Sequence, residues 1–151
     1  MARIEADFED ACDFHLIGVS SHVGPHRLGW DLNRIFGWDL VHFLDWQVDQ
    51  KESTSAHTIY RHREDSSSSS VYFICNRTPS GAFAPGAAQL DYLLTLPAES
   101  FGVDPVLQAL RTLTSVSVAA ALDPMGSGAL EILAVLDVTE TEPANSLQTE
   151  R

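Results

Sequence analysis

The sequence predicts an α+β fold: a mostly antiparallel sheet with two helices packed on one face, ferredoxin-like or ACT-like, with an inserted hairpin. Three observations carry this expectation. Short runs that are apolar throughout, or that alternate with period two, recur along the chain as strands do. Two segments repeat their apolar residues at helical spacing, each between strand-like runs. Pro and Gly stand between these segments where helix starts, helix ends and turns need them.

Taken in order, Phe14 to Ser20 is a compact apolar run and reads as a buried strand. Gly24-Pro25 follows, and Pro25 suits the first helical position, where a missing N–H costs little. Leu28, Leu32, Ile35 and Phe36 form the apolar stripe of a helix that Gly37 ends. Trp38 to Val48 alternates as a strand. Trp38, Leu40, His42, Leu44, Trp46 and Val48 share one face; Asp39, Val41, Phe43, Asp45 and Gln47 share the other. Strand, helix and strand together fit a βαβ unit.

Lys51 to Ser55 is a polar connection. Ala56 to His62 and Val71 to Asn76 are the strands of the inserted hairpin, with the serines 66–70 at its solvated tip. Thr78-Pro79-Ser80-Gly81 is a turn, and Leu90 to Leu96 alternates as a further strand. Asp104-Pro105 opens the second helix, with Asp104 as cap and Pro105 as first helical residue; Val103, Val106, Leu107, Leu110 and Leu113 repeat at helical spacing. Val116 to Leu122 is a strand of small and β-branched residues, giving a second strand–helix–strand stretch. Residues 129–138 are apolar enough for the core, with a period that fits neither helix nor strand. One domain is therefore expected over 13–138, with an N-terminal extension at 1–12 and a polar, disordered acidic tail at 139–151.

The chain carries 21 Asp and Glu against 9 Lys and Arg, a formal charge of -12. A field of that sign repels phosphate backbones and anionic lipid surfaces, so neither nucleic acid nor a membrane is expected as partner. Arg27 and Arg34 are an exception to the acidity, seven residues apart on one helix face. The two cysteines, Cys12 and Cys75, lack metal-ligand spacing, and Cys75 sits in an apolar run where it packs as a small hydrophobe. The first thirteen residues hold five carboxylates and no apolar core, unlike a signal peptide, so the expected compartment is the cytoplasm.

Candidate chemistry is sparse. His22 and His26 are four apart, but Gly24-Pro25 separates them and no third ligand is suggested, so no metal and no cofactor are expected. Ser20-Ser21-His22 names a nucleophile and a base without the Gly-x-Ser-x-Gly turn that would aim them. These serines instead suit the backbone donors of the turn into the helix. Trp38 and Trp46 are eight residues apart, about 27 Å at roughly 3.4 Å per residue, too far to line one small pocket. Trp30 lies off the Leu28/Leu32 stripe and is expected to be partly exposed and interfacial. Asp91 and Tyr92 on one strand point to opposite faces, with Tyr92 packing beside Leu90 and Leu94. Asp91 and the loop around Pro85 are then a candidate recognition edge.

Several of these segments together resemble the bacterial IPExxxVDY family. Asp13-Phe14-His15-Leu16-Ile17-Gly18-Val19-Ser20-Ser21-His22 resembles its opening strand. Arg27-Leu28-Gly29-Trp30 with Leu32-Asn33 resembles its first helix, and Phe73-Ile74-Cys75-Asn76-Arg77 the strand before the named motif. In the motif, Pro85, Asp91 and Tyr92 match; Leu90 stands for Val, Ala84 for Ile and Gly86 for Glu. The resemblance implies a small cytoplasmic protein of Bacteroidetes-type bacteria in a family with no established activity. The expectation is a non-enzymatic protein–protein interaction module, acting on an unknown protein partner or as a homodimer. The alternative is an ACT-like regulatory domain with a small ligand near Ser20, Ser21, His22 and Asn33.

Overall fold

In this computed structural model the described residues are 14–63, 70–98 and 100–127. The extension at 1–12, residues 66–69 of the serine stretch, the segment 129–138 and the tail 139–151 lie outside them.

The apolar run at the start becomes strand β1, Phe14–Ser21, whose central residues Leu16 to Val19 are all buried. It is apolar on both faces because it lies inside the sheet, between β7 (Tyr92–Pro97) and β8 (Val116–Leu122). The remaining strands are β2 (Val41–Asp49), β3 (Thr54–Arg63) and β4 (Ser70–Cys75), giving the order β2-β3-β4-β7-β1-β8. Every neighbouring pair is antiparallel. A two-residue pair, β5 (Arg77–Thr78) and β6 (Gly81–Ala82), closes the turn at Pro79-Ser80.

Two helices lie on one face of this sheet, as expected. Helix α1 spans Pro25–Phe36 with Pro at its start. Gly37 ends it at φ 70°, a left-handed conformation that glycine adopts without Cβ strain, and the Gly37 and Trp38 amides both donate to the Asn33 carbonyl. Helix α2 spans Val103–Arg111. Leu28 and Leu32 of α1 and Val106, Leu107 and Leu110 of α2 pack with Ile17, Val19, Phe73, Leu94 and Leu96 of the sheet. Behind the sheet, Leu16, Ile59, Tyr72, Ile74 and Leu93 lie under Phe83, Ala84, Ala87 and Leu90. That second layer is made by the connection from β6 to β7, including a 3-10 turn at Pro85–Ala87. A short helix, α3 (Pro124–Ser127), follows β8.

Four expectations are corrected. The strand read from Trp38 begins at Val41, and its alternation changes phase inside it. The register with β3 slips between His42 and Leu44, so Phe43 is an extra residue. Trp38 and Leu40 therefore pack on the helix side while Leu44, Trp46 and Val48 pack behind the sheet. Helix α2 starts at Val103, two residues before Pro105: Gly102 is the N-cap, Asp104 lies in the first turn, and no side chain caps the end. The carboxylate still suits the positive end of the helix dipole there. Strand β7 starts at Tyr92, so Leu90 drops into the rear layer, away from Leu94. Finally, β1, α1 and β2 do not form an adjoining βαβ unit, because β3, β4 and β7 separate the two strands; β7 and β8 do flank β1 on either side.

Candidate functional site

Asp91 and Tyr92 converge on the turn from β1 into α1. Asp91 sits in a bend before β7, and its Oδ2 accepts the Ser21 amide at 2.9 Å. The Tyr92 hydroxyl donates to the Val23 carbonyl at 2.8 Å. Ser21 Oγ in turn donates to the Ser115 carbonyl and accepts the Val23 amide. The expectation that a serine serves the backbone of this turn is met by Ser21. Asp91 thus meets a turn donor while Tyr92 packs in the core with Leu94, and both tie down one turn and so set where α1 begins. Burial, helped by the neighbouring Cys75, Asp91 and Tyr60, pushes the Tyr92 phenol up to about 12, so it stays a donor. Arg77 lies 3.9 Å from Asp91 on the exposed side.

The segment before Asp91 hangs on a residue the sequence reading passed over. Asn76 follows β4 and is fully buried. Its Nδ2 donates to the carbonyls of Ala87 and Leu90, each at 2.8 Å, and its Oδ1 accepts the Ala84 amide at 2.8 Å. Its backbone amide donates to Asp91 and its carbonyl accepts Phe83 N–H. Pro85 is exposed at the start of the 3-10 turn that this asparagine holds. Leu90 then reaches over β1 at Gly18, where an added Cβ would collide with its side chain and with Leu122. Phe83, Ala84, Ala87 and Leu90 are thereby fixed as the lid of the rear core.

The outer face of α1 is a different kind of surface. Trp30 is 58% exposed, the most exposed large apolar side chain among the described residues beside Val41 and Val118. It lies off the buried Leu28/Leu32 stripe, as its helical position requires. Arg27 and Arg34, at i−3 and i+4, place their guanidinium carbons 5.9 and 5.3 Å from the ring centre. Between them Asp31 is buried, with Oδ2 accepting Ser115 Oγ at 2.9 Å. Its carboxylate lies 3.6 Å from Arg27 and 3.8 Å from Arg34, close enough to draw both guanidiniums toward the ring.

The other reactive groups are buried or partly buried. His57 is fully buried, and burial lowers its pKa. Its Nδ1 contacts the Cys75 carbonyl at 2.8 Å, and a carbonyl only accepts, so Nδ1 carries the proton. Nε2 then accepts the Ser55 hydroxyl at 2.7 Å, and Ser55 Oγ accepts Gln50 Nε2. This has the connectivity of a nucleophile and base, yet Ser55 is also buried, so no substrate carbon reaches it. The Cys75 thiol is pushed up to about 11 by burial and by Asp45, which keeps it protonated and weakly nucleophilic. Among the described residues no three His, Cys, Asp or Glu side chains group to hold a metal ion. Nor is any helix there long and apolar enough to cross a membrane.

The candidate residues thus separate into three places. Ser20, Ser21, His22, Asp91 and Tyr92 gather at the β1–α1 turn, where Ser20 gives its carbonyl to Ser117 and His22 is exposed. Pro85 lies on the rear lid and Trp30 on the outer face of α1. Asn33 is at the far end of that helix, its Oδ1 accepting the Leu40 amide at 2.9 Å, so it does not join Ser20, Ser21 and His22 around one ligand. In comparisons with known proteins, no family model, no curated protein and no solved structure matches this chain.

Proposed function

We propose that this protein is a non-enzymatic interaction module that recognises a protein partner through the outer face of α1. The observation that carries the reading is Trp30, 58% exposed and held between Arg27 and Arg34. Trp and Arg are the side chains most enriched where binding energy concentrates, and a ring braced by two guanidiniums loses little freedom on docking. The turn clamp of Asp91 and Tyr92 supports the reading from beneath, since it fixes the start of the helix that presents this face. Membership of the IPExxxVDY family is part of the proposal and stands on the residues quoted for it. A cytoplasmic location is also part of it, and the free Cys75 thiol is compatible with a reducing compartment.

The test is quantitative affinity capture from the native cell with the wild-type chain and with Trp30→Ala as paired baits. The expected result is a protein captured by the wild type and lost with the variant, both baits being equally folded by circular dichroism. Identical captures by both baits would remove the outer face of α1 from the account.

A further inference from the structure

We infer that the outer face of α1 takes an acidic segment of its partner, one whose carboxylates pair with Arg27 and Arg34 while an apolar side chain covers Trp30. The inference rests on the recognition reading above and adds the chemistry of the partner. Its basis is the state of the two guanidiniums. Arg27 and Arg34 have side chains 67% and 56% exposed, and their distances to Asp31, 3.6 and 3.8 Å, exceed those of a charge-assisted hydrogen bond. The Asp31 oxygen nearest Arg27 already accepts Ser115 Oγ. Asp31 therefore positions the two cations without using up their donors. Two guanidiniums against one carboxylate leave a net positive charge around the ring.

A planar guanidinium stacked near an aromatic ring keeps its N–H edge free, and that edge matches a carboxylate in bidentate fashion. The charge of -12 does not cancel this attraction. At physiological salt the Debye length is about 8 Å, so contacts at the face are decided by the groups nearest to it. The overall charge instead selects against long polyanions, whose many phosphates extend past the patch into the acidic surface. A short acidic protein segment meets the patch and little else.

The experiment uses the full chain and synthetic peptide probes read by isothermal titration calorimetry. One probe is Glu-rich with a central Leu; in the others Gln or Lys replaces every Glu; oligo(dT) is the nucleic-acid arm. The inference expects saturable binding of the Glu probe that weakens as salt rises. It expects a loss of about tenfold with either Arg27→Gln or Arg34→Gln, the scale of one charge-assisted hydrogen bond. Arg→Lys at either position keeps the charge and loses the fork, so it restores only part of the affinity. No binding of the Glu probe, or tighter binding of the Lys probe or of oligo(dT), overturns the inference. If the Glu probe fails while a cellular partner is still lost with Trp30→Ala, recognition stands and the acidic partner falls. If the partner is also indifferent to Trp30→Ala, both fall.

Discussion

Replacing Asn76 by Ala tests how the segment bearing Pro85, Asp91 and Tyr92 is held. The side chain makes three hydrogen bonds, two donated to the carbonyls of Ala87 and Leu90 and one accepted from the Ala84 amide, all buried. Alanine removes the partner of each backbone group and supplies none. Leaving a buried polar group unpaired costs roughly 1–3 kcal/mol, so three cost about 3–9 kcal/mol. That is a large share of the roughly 5–15 kcal/mol that holds a domain together. The assay is urea unfolding followed by circular dichroism. With a slope of about 1–3 kcal/mol per molar urea, a loss of even about 3 kcal/mol lowers the midpoint by about 1–3 M. Asn76→Asp refines the test because it preserves shape and turns the donating nitrogen into an oxygen facing two carbonyls. It is expected to destabilise at neutral pH as well, and to recover partly in acid, where the carboxyl regains a proton to donate. A change under about 1 kcal/mol in both variants would refute the view that Asn76 anchors the lid.

Tyr92→Phe is expected to cost about 0.5–1.5 kcal/mol through the lost bond to Val23, measured by the same unfolding curves. The folded phenol titrates near 12 against 10.0 for the free group, so the fold holds that proton longer. Wild-type stability therefore falls as pH rises from 10.0 toward 12, and the Phe variant lacks this component. His57 behaves oppositely: its pKa is lowered from 6.5, so the unfolded chain takes up the proton first and stability falls as pH drops below 6.5. The slope from one such group does not exceed about 1.4 kcal/mol per pH unit, and the difference between wild type and His57→Gln across acidic pH isolates it. With Cys12→Ser as background, Cys75 is expected to react slowly with iodoacetamide until pH approaches 11, and rapidly once the chain is unfolded. Fast alkylation of the folded chain at neutral pH would contradict the raised pKa of its thiol.

The sequence showed its fold class through local signals that tertiary structure left in place. The apolar run of β1, the Pro25 and Gly37 ends of α1, the hairpin of β3 and β4 and the stripe of α2 all follow from spacing and punctuation. The phase of β2 was hidden because one extra residue, Phe43, reverses which side chains face which layer, and alternation alone does not display an insertion. The role of Asn76 was hidden because it reads as the last residue of a strand, while its partners lie 8 to 14 positions further on. The clamp was half visible. Asp91 and Tyr92 stood out as residues, but the Ser21 amide that Asp91 holds is 70 positions away. Trp30 was legible because it lies off the apolar stripe of an amphipathic helix. Asn33 misled because the two ends of α1 are adjacent to different turns.

Site-specific photo-crosslinking in the native cell addresses the central claim most directly. A photoreactive residue is placed in turn at position 30, at Val41 and at Val118, the three exposed large apolar positions among the described residues. The account predicts a discrete adduct to a protein partner from position 30, with little from the two sheet positions. Adducts from Val41 or Val118 with none from position 30 would contradict it and move the interface to the sheet.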